Sequence, residues 1–160
     1  MVDRLLFPLT FGSALGCGLM AGVFFAFSVF VMRALARLPP AQGIAAMQSI
    51  NVAAITPLFM LALFGTAAAC AVLAVSSLSR WNEPGAVYLF AGSVLYLAGA
   101  VLVTIVFNVP RNDALAAVAP ESAEGARLWI GYLTSWTAWN HVRAVAALAA
   151  TGSLLIALRR

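Results

Sequence analysis

The chain reads as an all-α integral membrane protein, a bundle of four transmembrane helices, on three observations. Of its 160 residues, 64% are hydrophobic and 9% charged, whereas a soluble domain is about 45–50% apolar and about 25% charged. A chain this short cannot hide so much apolar surface in one aqueous core and still present a polar shell. Its few charges fall at the ends of long apolar runs, so they mark out spans. A soluble enzyme, a disordered chain and a disulfide scaffold are excluded on this composition.

The spans follow in order. Between Arg4 and Arg33 lie 28 residues without a formal charge, Leu5 to Met32, longer at ~1.5 Å per residue than the ~30 Å hydrocarbon core requires. This is helix one, residues 5–32. Ala14-Leu15-Gly16-Cys17 faintly resembles a lipoprotein cleavage box, but the run continues through Phe24-Phe25-Ala26-Phe27, far beyond the ~7–15 residues of a signal-peptide core. Helix one is therefore expected to be mature. Its Gly12-x-x-x-Gly16 and Gly18-x-x-x-Gly22 spacings permit close helix approach and offer a surface for homo-oligomers. Helix two is placed at 52–78 and helix three at 86–107, where Pro110 is expected to end it: proline supplies no N–H, and the residue before proline avoids the α region. Helix four is bounded from behind. Only 15 residues separate Arg143 from Arg159, roughly 22 Å of helix, so the span must begin near Trp136 to Trp139 and is placed at 137–158. It carries Asn140, His141 and Arg143 into the membrane.

The connections 33–51 and 108–136 are expected to lie at the membrane surface. In the second, Pro120-Glu121-Ser122-Ala123-Glu124 has the composition of a helix start, followed by Arg127, Leu128, Trp129 and Tyr132 at helical spacing. Arginine counts do not decide orientation: Arg4, Arg80, Arg159 and Arg160 balance Arg33, Arg37, Arg111 and Arg127. The working assignment is a bacterial inner membrane with cytoplasmic termini. Nine arginines and no lysine give a net charge of +4, but no basic stripe is present, so nucleic acid is not an expected partner.

Polar residues are costly in lipid, and here they gather on one face of the membrane. Gln48 and Asn51 open helix two, Asn108 and Asn112 close helix three, and Asn140, His141 and Arg143 open helix four. An arginine within a span usually faces a cavity or a partner and so marks a functional site. On helix four, Trp136, Asn140 and Arg143 share a stripe, Trp139 sits four residues before Arg143 and is placed to lie under its guanidinium, and His141 points about 100° from Asn140. His141 is the one side chain here that takes up a proton near neutral pH. Caps, an aromatic belt and a snorkelling arginine explain each residue singly, but they should occur on both faces.

The inventory also excludes chemistry. No zinc ligand set or C-x-x-C motif can be drawn from one histidine, two cysteines and five acids, so no metal site is expected. No carboxylate lies inside the assigned spans, which argues against proton-coupled antiport and di-iron carboxylate sites. Cys17 and Cys70 read as small packing residues.

Four segments carry a resemblance. Gly18 to Ser28 with Val31-Met32, Met47-Gln48-Ser49-Ile50-Asn51, Phe107-Asn108-Val109-Pro110-Arg111-Asn112-Asp113, and Trp136-Thr137-Ala138-Trp139-Asn140-His141-Val142-Arg143 resemble the anthrone oxygenase-like family of small membrane proteins. The resemblance spans nearly the whole chain; the second pair of segments is specific, and the glycine-rich first helix is not. It implies a four-helix integral membrane protein. Some fungal members oxidise anthrones to anthraquinones without metal or flavin, while most bacterial members are domains of unknown function. That chemistry needs a base, oxyanion donors and a dry aromatic pocket. His141 is the expected base, Arg143, Asn140 and Asn108 the oxyanion donors, and Trp136, Trp139 and Phe27 the ring-binding walls, with Gln48, Asn51 and Asn112 as further substrate contacts. The expected partners are a hydrophobic small molecule, O₂ and the lipid bilayer, with no cofactor. The alternative is a non-enzymatic protein that binds a quinone, a lipid or a partner helix at the same cluster.

Overall fold

The computed structural model describes residues 2–160, with side chains from Leu5 onward; the side chains of Asp3 and Arg4 lie outside the described residues. Five helices follow one another: α1, Leu5–Leu35; α2, Pro40–Ala53; α3, Pro57–Leu78; α4, Ala86–Ala116; and α5, Ala123–Ala157. Four of them, α1, α3, α4 and α5, are long and apolar enough to cross a membrane, and no strand occurs among the described residues. The protein is an all-α membrane-spanning bundle.

The spans form a ring in which α1 packs on α3, α3 on α4, α4 on α5 and α5 on α1. Small residues bring the backbones together: a Cβ built on Gly99 of α4 would meet the Ala146 Cβ of α5. One apolar core fills the middle of the bundle around Cys17, Met20, Phe24, Cys70, Leu73, Tyr96, Ala147 and Leu154. A second lies at one end, where α2 packs across α5 and the end of α4, and joins Met32, Ile44, Met47, Leu115, Trp129, Tyr132 and Trp136. Outward-facing Leu58, Leu61, Val75, Val145 and Leu148 are exposed, as expected of a lipid-facing surface, where exposed apolar side chains carry no penalty.

Three boundaries differ from the sequence reading. The apolar run assigned to 52–78 is broken: α2 ends at Ala53, and α3 begins at Pro57 with Thr56 extended (φ −109°, ψ 150°), its Oγ1 capping the Phe59 N–H. Proline forces the preceding residue out of the α region, so Thr56-Pro57 makes the corner. Conversely, Pro110 does not end helix three. Thr104–Asn108 is π-helical, and an α-helix resumes from Val109 to Ala116 with the proline in its first turn, where no N–H is needed. The Phe107 carbonyl is taken by Arg111 Nη1. Finally, α5 starts at Ala123, capped by Ser122 Oγ on the Gly125 N–H. Its 35 residues reach about 52 Å, so residues 123–136, expected in a connection separate from helix four, are the first part of the same helix.

Candidate functional site in the bundle

π-helical turns interrupt α1 at Phe27–Val31, α3 at Leu61–Gly65 and α4 at Leu95–Leu102 and Thr104–Asn108. Such turns widen a helix and re-aim its side chains, and they recur at functional sites. Here three of them, with α2 and α5, surround a cavity of about 900 Å³ where the two cores meet, at the upper end of the ~300–1,000 Å³ range of small-molecule sites. Its walls are largely apolar: Val23, Phe24 and Phe27 from α1, Met47 from α2, and Phe59, Met60, Leu63 and Phe64 from α3. The polar groups fall in two sets.

The inner set is built on Arg143. It is 6% exposed. Its Nη2 donates to Asn140 Oδ1 at 2.6 Å and its Nη1 to Thr104 Oγ1 at 3.2 Å. Asn140 in turn donates from Nδ2 to the Phe24 carbonyl and to Ser28 Oγ, both at 2.7 Å. Every polar atom of this amide is thereby used, which fixes its orientation and leaves its oxygen to the guanidinium. The guanidinium carbon lies 4.4 Å from the centre of the Phe24 ring and 5.0 Å from that of Trp136. Arg143 Nε is a buried donor with no partner, and no carboxylate pairs with this cation among the described residues. A buried cation held by neutral groups and ring faces is set to receive a negative oxygen.

The outer set comprises Gln48, Asn51, Asn112 and Asp113. Gln48 Nε2 ties α2 to the end of α4 and the turn after it, through the carbonyls of Leu115 and Val118 at 2.8 and 3.0 Å. Asn112 Oδ1 accepts from Tyr132 Oη at 2.9 Å and Trp136 Nε1 at 2.8 Å. These bonds lock the Trp136 indole, which packs against Phe27 at a centroid distance of 5.7 Å. Among the expected residues, the cavity wall therefore includes Arg143, Asn140, Trp136, Asn112, Asn51, Gln48 and Phe27.

Three expected residues are placed otherwise. Asn108 is buried, donates to the Trp136 carbonyl at 3.2 Å and is not among the lining residues, although its Oδ1 has no partner. Trp139 stacks on Phe107 with centroids 3.5 Å apart, so Phe24 and Trp136, not Trp139, cover the guanidinium. His141 is exposed and does not line the cavity, because the step of about 100° from Asn140 turns it to the outer face of α5. Four contributors were not foreseen: Phe24, Ser28, Thr104 and Asp113. Thr104 lies four residues before Asn108, spacing that puts both on one helix face, and was the most readable of them. No group of three or more His, Cys, Asp or Glu side chains comes together among the described residues.

A sequence model of the anthrone oxygenase family matches residues 58–153. The chain belongs to the anthrone oxygenase family. The matched stretch contains Thr104, Asn112, Asp113, Trp136, Asn140 and Arg143, so the Arg143–Asn140–Thr104 group and half of the outer rim lie within it, while Phe24 and Ser28 of the inner set lie outside. Comparison with the curated proteins and with the solved structures gives no match.

Proposed function

We propose that this protein is a membrane-embedded oxygenase that converts an anthrone, or a related hydrophobic polycyclic phenol, to the corresponding quinone by proton removal and direct reaction with O₂. The observation that carries the reading is the Arg143 guanidinium: buried, with no carboxylate partner among the described residues, flanked by two aromatic faces and open to an apolar cavity in the bundle. An anthrone carries an aryl ketone whose oxygen becomes an anion when the ring methylene loses a proton. Donors already in place where that charge develops lower the barrier without reorganising, and a low-dielectric surrounding strengthens their effect. Arg143 receives the oxyanion, Asn140 holds Arg143 in position, and Trp136, Phe24 and Phe27 grip the flat ring system.

The enolate supplies the electrons for the oxygen step. Its methine carbon adds O₂ to give a hydroperoxide, and loss of water leaves the second quinone carbonyl, so that one anthrone and one O₂ yield one anthraquinone and one water. Both reactants favour lipid over water, and a cavity within the spans takes them from there. The test is O₂ uptake by anthrone with the purified protein in lipid nanodiscs. Uptake should rise in proportion to protein; equal rates in loaded and empty nanodiscs would discard the reading.

A further inference from the structure

The oxygenase reading leaves a proton without a destination, because His141 lies outside the cavity. Among the described lining residues, the only side chain that can accept one is Asp113. From α1 the wall is Val23, Phe24 and Phe27; from α2 its polar members are Gln48 and Asn51; from α3 it is apolar; from α5 it is Trp136, Asn140 and Arg143. None of these takes up a proton: Arg143 is already charged and the amides are not basic. Asp113 is exposed at the outer set and makes no ion pair among the described residues.

Helical geometry sets its relation to the cation. Arg143 is bonded to Thr104, and Asp113 lies nine residues further along the same helix, beyond the π-helical turn that ends at Asn108, and lines the same cavity at a different height. The cavity is thus cationic at one end and carries a carboxylate at the other. An anthrone matches this polarity, since its ketone oxygen and its acidic methylene project from opposite sides of the central ring. A ketone oxygen held at Arg143 would leave the methylene on the far side of the ring, toward the part of the wall that carries Asp113.

We infer that Asp113 is a catalytic residue, the general base that takes the methylene proton while Arg143 holds the oxyanion. This rests on the oxygenase reading. In the first step a C–H bond breaks, its electron pair passes to the ketone oxygen, and the proton goes to the Asp113 carboxylate. After O₂ adds, the protonated acid returns that proton to the peroxide. The carboxylate then takes the second methylene proton as the O–O bond breaks, and hydroxide leaves as water with that proton. Asp113 ends as it began, and its exposed position connects it to solvent.

The test compares wild type, Asp113→Asn, Asp113→Glu and Asp113→Ala in nanodiscs, with anthrone and with anthrone deuterated at the methylene. Asp113→Asn should lower kcat by about a hundredfold or more while moving KM little, and should enlarge the deuterium isotope effect. Asp113→Glu should restore much of the rate, and formate should partly rescue Asp113→Ala, neither of which a structural role explains. Unchanged melting of Asp113→Asn shows that the fold is intact. An active wild type with an equally active Asp113→Asn overturns the inference alone. A wild type without protein-dependent O₂ uptake overturns the oxygenase reading and the inference with it.

Discussion

Replacing Arg143 by methionine separates what this residue does for the fold from what it does for a ligand. Methionine keeps much of the buried stem and removes the charge. Desolvating a cation costs several kcal/mol, and in this protein that cost is offset by the bonds to Asn140 and Thr104 and by the Phe24 and Trp136 faces, with Nε left unpartnered. Arg143→Met relieves the cost but leaves Asn140 Oδ1 buried without a donor, a penalty of about 1–3 kcal/mol. The opposing changes are of similar size. Stability should therefore move by no more than about 2 kcal/mol, or roughly 4–8 °C in Tm for a chain of this length. Turnover should fall much further, since removing one donor to a developing oxyanion typically lowers kcat by about 10²–10³. Arg143→Lys keeps a charge but not the fork that reaches Asn140 and Thr104 together, and should fall between the two. The assay pairs O₂ uptake with anthrone against a thermal melt in the same nanodiscs. A methionine variant that melts normally and turns over within about threefold of wild type would refute the assignment of Arg143, because the loss of an oxyanion donor cannot be that small.

Other substitutions probe the rest of the site. His141→Ala should leave kcat within about twofold of wild type, because its side chain is exposed and does not line the cavity; a large loss measured by O₂ uptake would restore it as the base. Gly16→Val should destabilise by about 2 kcal/mol or more, since a Cβ there would collide with Thr66 Oγ1 across the α1–α3 contact, read as a lowered melting temperature. Tyr132→Phe removes one of two donors to Asn112 and leaves the Trp136 bond, so it should cost about 1 kcal/mol of stability; a shift in the Trp fluorescence of the variant would report a loosened indole.

Architecture was legible because lipid simplifies the code: apolar length and the position of arginines suffice to place spans. Errors came where the backbone departs from a uniform helix. Pro110 looks like a terminus when helices are assumed to be purely α, but it sits in the first turn of the α-helix that follows the π-helical turn at Thr104–Asn108, where its missing N–H is not needed, and α4 runs on to Ala116. That single misreading placed Asn112 and Asp113 in a loop and hid the carboxylate at the cavity rim. Thr56-Pro57 was the reverse case, a corner concealed by an unbroken apolar run. At the site, the stripe of Trp136, Asn140 and Arg143 was readable from spacing along one helix. The partner of the guanidinium was not: choosing Phe24 over Trp139 depends on how α1 crosses α5, which spacing within either helix does not contain.

The central claim is that this membrane cavity drives oxygenation by its own side chains, and labelled oxygen tests it most directly. Anthrone is supplied under ¹⁸O₂ to wild-type protein in nanodiscs, and the quinone formed is weighed. The oxygenase reading requires one heavy oxygen per quinone, formed at a rate proportional to protein and largely lost in Arg143→Met. Quinone that forms at the same rate in empty nanodiscs, or with Arg143→Met as with wild type, would contradict it.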